Sequence, residues 1–227
     1  MQNRTKKLTA LAMLTSMAFM VGAIIRLRHT FAAAPFLTYD PKDVVILIGG
    51  FMFGPMSALL MSVVVALLEM TTISITGFIG AIMNAVASAS FTCTAAFFYS
   101  KKRNLQGAVT GLAIGCIVAT ATMLLWNYFI IPIYSPFATR ESVMGIMLPA
   151  LLPFNLIKTS LNAVLAILVY KKVSSALMAA GLYKEALLDA EKTGTPSSKR
   201  LYIAVMIISA IIAIALIALL LTIRASG

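Results

Sequence analysis

Long apolar runs separated by short polar breaks make up this chain, and the run lengths predict its elements. The first run covers residues 8–25, behind Arg4, Lys6 and Lys7. An irregular segment over residues 30–43 follows, with Pro35 and Pro41. Residues 44–72 are nearly continuous in apolar character, broken only by Gly49-Gly50 and Gly54-Pro55. Further runs span 78–99, 106–131, 145–170 and 201–223. A helix needs ~20 apolar residues to cross a bilayer, so the pattern predicts successive spanning helices.

Charge decides how many crossings there are. Arg4, Lys6 and Lys7 precede the first run, Lys101, Lys102 and Arg103 follow the 78–99 run, and Lys171 and Lys172 follow the 145–170 run. Basic clusters beside spanning helices favour the cytoplasm, so an even number of crossings separates them. Between Lys7 and Lys101 that holds only if residues 44–72 form two short helices hinged at Gly54-Pro55, where proline removes a backbone donor. Short spans are tolerated where neighbouring helices cover the backbone. The expectation is an all-α integral membrane protein in the cell membrane. Its body is a six-helix transmembrane bundle with the N-terminus cytoplasmic and a seventh C-terminal helix beyond. The first run could also be read as a signal peptide ending at Ala32-Ala33-Ala34. Arg26, Arg28 and His29 would then lie between apolar region and cut, which favours a retained helix.

Three regions follow from this reading: a membrane domain over 1–172, a cytoplasmic amphipathic segment and linker over 173–200, and an anchoring or packing helix within 201–227. Leu177, Leu182, Leu187 and Leu188 face Lys184, Glu185, Asp189 and Glu191 in the middle region, and Thr193-Gly194-Thr195-Pro196 marks the linker.

Composition excludes several classes of function. The 227 residues are 61% hydrophobic and 11% charged, against ~45–50% and ~25% in soluble domains. A net charge of +11 would suit nucleic acid, but its clustering between apolar runs points to topology. Cys93 and Cys116 offer neither metal spacing nor a disulfide framework, and His29 is the single histidine. An intramembrane enzyme would need a nucleophile with a base, or a metal triad, and neither is present. No Walker-type phosphate loop occurs, so the chain has no ATPase of that kind.

Polar residues within apolar runs carry the candidate chemistry, because each costs at least ~2.5–3.5 kcal/mol to insert when ionisable. Asn155, Lys158 and Asn162 stand at i, i+3 and i+7 on one helix face, below Pro149 and Pro153. Two amides and an ammonium in line offer donors and acceptors to the polar edge of a buried ligand. The alternative pairs Lys158 with Glu69 and uses the asparagines to join helices, a reading that suits Asn162 best. Glu69 itself, near the outer end of its helix, could be wet and receives no role. Asn127 lies in Trp126-Asn127-Tyr128, either a ligand contact or part of an interfacial aromatic belt. Asn84, Ser88 and Thr92 form a polar stripe suited to interhelical hydrogen bonding. Phe36, Leu37 and Tyr39 beside Asp40 and Asp43 would make a lid with an apolar underside and a polar rim, and Asp43 could also cap the second helix.

Several of these segments together resemble a known family. Phe36-Leu37-Thr38-Tyr39-Asp40-Pro41-Lys42-Asp43, followed by Ile48-Gly49-Gly50-Phe51-Met52-Phe53-Gly54-Pro55, is similar to the riboflavin-specific S components of energy-coupling-factor (ECF) vitamin transporters. Thr76-Gly77-Phe78-Ile79-Gly80 with Met83-Asn84, Asn127-Tyr128-Phe129 with Pro132 and Tyr134, and Pro153-Phe154-Asn155-Leu156-Ile157-Lys158 extend the likeness over about residues 5–175. The resemblance implies a six-helix bundle that binds riboflavin near its outer face, with a transmembrane coupling subunit and two cytoplasmic ATPases as partners. Asn127, Asn155 and Lys158 would hydrogen-bond the polar edge of the isoalloxazine ring. Leu37, Tyr39 and the Gly77-Phe78 turn would cover its faces, and Asp43 and Asn84 complete the implied substrate-binding set. The family's Ala-x-x-x-Ala docking motif on the first helix reads Ala12 to Ser16 here, with serine still small enough for close approach.

Riboflavin's ring is apolar on its faces and polar along one edge, which suits an apolar cleft with a few aligned polar groups. FMN, a possible second ligand, would want a further cation, with Arg26, Arg28, Lys42 and Arg140 as candidates. The expected function is a high-affinity riboflavin-binding subunit without catalytic activity or resident cofactor. The alternative is an ion-coupled secondary transporter working through Glu69 and Lys158, without the inverted repeat of broken helices common in such carriers.

Overall fold

The computed structural model of the chain describes residues 2–28, 37–73, 77–134 and 139–179. The seventh apolar run, the linker, Phe36 and His29 lie outside the described residues. Seven α-helices order the described chain: α1 (Gln2–Ile24), α2 (Lys42–Phe53), α3 (Pro55–Thr72), α4 (Gly77–Lys101), α5 (Leu105–Tyr134), α6 (Arg140–Ile146) and α7 (Leu152–Ala179). A π-helical segment, Met147–Leu151, joins α6 to α7, and the three together form the sixth helical rod. Among the described residues five helices are long and apolar enough to cross a membrane: Arg4–Ile24, Pro55–Thr72, Gly77–Lys101, Leu105–Ile133 and Arg140–Tyr170.

The expected hinge is present and its cause is local. Gly54 sits at φ 92° between α2 and α3, and Pro55 occupies the first turn of α3. A positive φ is costly for residues with a Cβ, while proline at a helix start gives up a donor that has no partner there. α2 is too short to span a bilayer alone, and every residue from Lys42 to Met52 is buried. It therefore fills the middle of the bundle, where other helices rather than lipid cover its backbone.

Small residues set a close contact between α4 and α5. A Cβ on Gly111 would stand 2.7 Å from the Ala95 carbonyl oxygen, and one on Gly115 would stand 2.9 Å from that of Phe91. This four-residue glycine spacing on α5 lets α4 approach to backbone distance. Outward faces carry Met13, Met17, Leu60, Leu67, Ile117, Leu125 and Phe129, as a lipid-facing surface requires.

Helix directions give the bundle two distinct ends. At one, Phe51 of α2, Tyr99 of α4 and Tyr170 of α7 form a ring cluster, with Phe51 and Tyr99 centroids 4.5 Å apart. Lys101, Lys102 and Lys172 flank this end. At the other, the segment expected to be irregular contains a short antiparallel ladder, Leu27–Arg28 with Thr38–Tyr39. It ties the exit of α1 to the entry of α2. Leu37 and Tyr39 then pack with Ile131, Val143, Leu151, Phe154 and Ile157 in a second apolar cluster.

α7 differs from expectation at both ends. It continues to Ala179, past the domain boundary read at residue 172, and its rod starts at Arg140 rather than Gly145. Pro149 and Pro153 supply no N–H to the preceding turn, and the helix accommodates this by widening to the π form.

Candidate functional site

A cleft opens at the end of the bundle opposite the aromatic cluster. Arg26 from the α1 exit, Leu37 and Asp40 from the entry loop, Asp43 of α2, and Ile79, Gly80, Met83 and Asn84 of α4 line it. Ala119, Met123 and Asn127 of α5, with Phe154, Asn155, Lys158 and Thr159 of α7, complete the wall. Six of the implied contact residues, Leu37, Asp43, Asn84, Asn127, Asn155 and Lys158, thus meet at one place.

The helix-borne amides are oriented from within their own helices. Asn155 donates from Nδ2 to the Leu151 carbonyl at 2.7 Å, at the edge of the π segment. Asn127 donates to the Met123 carbonyl at 2.7 Å, leaving its buried Oδ1 without a partner. An orphaned acceptor at a cleft wall is a place for a ligand donor, since buried polar atoms are costly when unpaired.

Lys158 is paired, though not with Glu69. Its ammonium donates to Asp40 Oδ2 at 3.3 Å, joining α7 to the loop. Lys42 approaches the other Asp40 oxygen at 3.9 Å. That oxygen, Oδ1, has no hydrogen-bond partner. Burial on its own would raise the Asp40 carboxyl, but Lys158, Lys42 and Arg26 hold it below the usual carboxylate range.

Glu69 corrects the expectation of a wet residue. It is only 1% exposed, ion-paired with Lys42, and it accepts from Asn84 Nδ2 at 3.2 Å. Its other oxygen faces Gly22 of α1, where a Cβ would sit 3.2 Å away. Lys42, considered as a cation for a phosphate, is therefore committed elsewhere and buried. Arg140 lies over the Tyr128 ring at 5.9 Å, and Arg26 donates to the Ile73 carbonyl at 3.5 Å.

Asp43 does not cap α2. Pro41 holds that position, and Asp43 turns inward from the first helical turn to accept from Ser88 at 2.6 Å and from Asn162 at 3.4 Å. Asn162 is fully buried and also accepts from the Tyr39 hydroxyl at 3.0 Å. It joins helices, as its deeper position suggested. Tyr39 lies behind the cleft, where burial and the carboxylates of Asp40 and Asp43 push its phenol above the usual range. The Asn84, Ser88 and Thr92 stripe does make interhelical bonds, to Glu69, Asp43 and Ser62 respectively. Gly77 begins α4 at φ 58°. Phe78 beside it is 67% exposed and off the cleft wall, so Ile79 and Gly80 supply the lining there. Ala12 and Ser16 share an exposed face of α1.

Asp40, expected in the rim of a lid, lines the cleft itself. Its signal was available: an acid beside the start of an apolar helix needs a cation, and Lys158 is the only lysine inside the later apolar runs.

Residues 6–170 match the family described as "ECF transporter, substrate-specific component". The chain belongs to this family. As an S component it is a substrate-binding transport subunit and not an enzyme, and proteins of this kind pair with an energising module. It is 31% identical to the riboflavin transporter RibU of Staphylococcus aureus (strain TCH60) over 179 residues, covering 77% of this chain and 93% of that one. It is 27% identical to the riboflavin transporter FmnP of Bacillus subtilis (strain 168), covering 75% and 93%. A solved structure of the S component of a bacterial ECF transporter superposes with a TM-score of 0.65 at 33% identity, covering 77% of this S component and 98% of that chain.

Proposed function

We propose that this S component binds riboflavin in the cleft and carries it into the cell with ATP hydrolysed by partner subunits. The reading is carried by one observation: Asn127, Asn155 and Lys158 converge on an apolar-walled cleft whose charges cancel. Arg26 and Lys158 are balanced there by Asp40 and Asp43. A balanced site suits a ligand with polar edges and no net charge, because an uncompensated ion is costly in a dry cleft. Riboflavin fits that description, with imide and carbonyl groups on one ring edge and hydroxyls on its side chain. Relatives named as riboflavin transporters support the same reading.

FMN is the less favoured ligand: Lys42 is tied to Glu69 and Lys158 to Asp40, so its phosphate would have Arg26 alone among the cations lining the cleft, and that guanidinium already offsets the lining carboxylates. Ion coupling through Glu69 loses its basis for the same reason, since the acid is already neutralised. In the membrane the cleft end faces outward and the basic end faces the cytoplasm, and Ala12 and Ser16, midway along α1, offer a strip of small residues to the coupling subunit.

The test is uptake by cells that lack other flavin transport and express this chain with an energising module. Labelled riboflavin accumulates, survives collapse of ion gradients and stops on ATP depletion. Absence of accumulation, or accumulation that follows an ion gradient, contradicts the proposal.

A further inference from the structure

Glu69 lies one layer behind the cleft and touches three other helices. It pairs with Lys42 of α2, accepts from Asn84 of α4, abuts Gly22 of α1, and itself stands on α3. Two of these contacts bear on what a ligand meets. Asn84 lines the cleft, and its bond to Glu69 anchors the amide nitrogen on the carboxylate's side, which turns the carbonyl oxygen away from Glu69. Lys42 is only 2% exposed and held at Glu69, so Lys158 remains the ammonium that lines the cleft.

We propose that Glu69 is a positioning residue that sets the specificity of the cleft: it makes Asn84 present an acceptor and keeps Lys42 out of the ligand's reach. The cleft then selects a ligand with an N–H or O–H donor opposite Asn84. The inference rests on the flavin reading of the site and deepens it. A neutral glutamine at 69 has both a donor and an acceptor, so it no longer dictates which end of the Asn84 amide faces inward. It also releases Lys42 from its full counter-charge.

The experiment is a riboflavin titration by flavin fluorescence on the purified full chain in detergent, with Glu69→Gln, Asn84→Ala and the double variant. Each single change weakens binding about tenfold, and the double variant falls well short of about a hundredfold, because the two changes share the route through Asn84. Losses that multiply to about a hundredfold, or wild-type affinity in Glu69→Gln, overturn the inference. A second readout compares riboflavin with 3-methylriboflavin, which lacks the imide donor, and with lumiflavin, which lacks the hydroxylated chain. One of the two is rejected by the wild type, and Glu69→Gln and Asn84→Ala both relax that rejection. A role confined to stability would leave the discrimination intact, and that result refutes specificity control. Should Glu69→Gln not fold, Lys42→Met/Glu69→Leu removes both buried charges together and must show the same relaxation. If the wild type itself takes up no riboflavin, the flavin reading and this inference fall together. Normal wild-type binding with multiplying losses removes this inference alone.

Discussion

Lys158 and Asp40 are 118 positions apart in sequence and meet at 3.3 Å across the mouth of the cleft. The pair joins the entry loop to α7 and places an ammonium beside two carboxamide-bearing helices. Removing one partner of a buried pair costs up to about 3–5 kcal/mol, less here because Lys42 still stands 3.9 Å from Asp40. Lys158→Met therefore lowers both thermal stability and riboflavin affinity. Asp40→Asn/Lys158→Met recovers most of the stability without recovering the affinity. Melting curves and flavin titrations on the two variants separate these effects.

The Asp40 carboxyl also makes a pH prediction. Its value in the folded chain lies below that of an unfolded aspartate, ~3.9, because of Lys158, Lys42 and Arg26. In the window between the two values the unfolded chain binds more protons, so stability rises with pH there. The contribution is complete above the unfolded value and is lost as pH falls through the folded one. The melting temperature of the wild type relative to Asp40→Asn thus shrinks as pH falls below about 4.

Gly54 isolates a backbone effect. A Cβ there meets nothing within 4 Å, yet φ is 92° and ψ 170°, so Gly54→Ala loses stability by strain alone, about 1–3 kcal/mol. Gly145 is equally open, without a positive φ, and lies in a helix. Gly145→Ala is neutral or stabilising by up to about 1 kcal/mol. Paired melting measurements check the opposite signs.

Ser16 tests docking separately from binding. Its hydroxyl bonds back to the Ala12 carbonyl at 3.0 Å and both residues face outward. Ser16→Trp leaves riboflavin affinity unchanged and abolishes uptake, because a bulky ring prevents close helix approach. Co-purification with the coupling subunit measures the same loss directly.

Local chemistry made part of this architecture legible in advance. The Gly54-Pro55 hinge follows from two residues that each refuse helix continuation, and Asn155 and Lys158 stand out because polar groups are rare in apolar helices. The burial of Glu69 is not legible in the sequence because its surroundings are tertiary: Lys42 is 27 positions earlier, on another helix, and nothing in the spacing pairs them. Of the two places the sequence offers Asp43, the rim of the cleft and the cap of the second helix, the cap is not taken, because α2 starts at Lys42 and turns that carboxylate toward Ser88. Pro149 and Pro153 signalled a loosened helix. The π form that results, with Asn155 bonded at its edge, depends on packing that the sequence pattern does not carry.

The central claim is that Asn127, Asn155 and Lys158 bind an uncharged flavin. The most direct measurement is a riboflavin titration of the purified, detergent-solubilised protein, followed by calorimetry and visible absorbance. The account predicts saturable one-to-one binding that Asn155→Ala and Lys158→Ala each weaken by at least about tenfold. A colourless protein that takes up no added riboflavin, or binding indifferent to both changes, would contradict it.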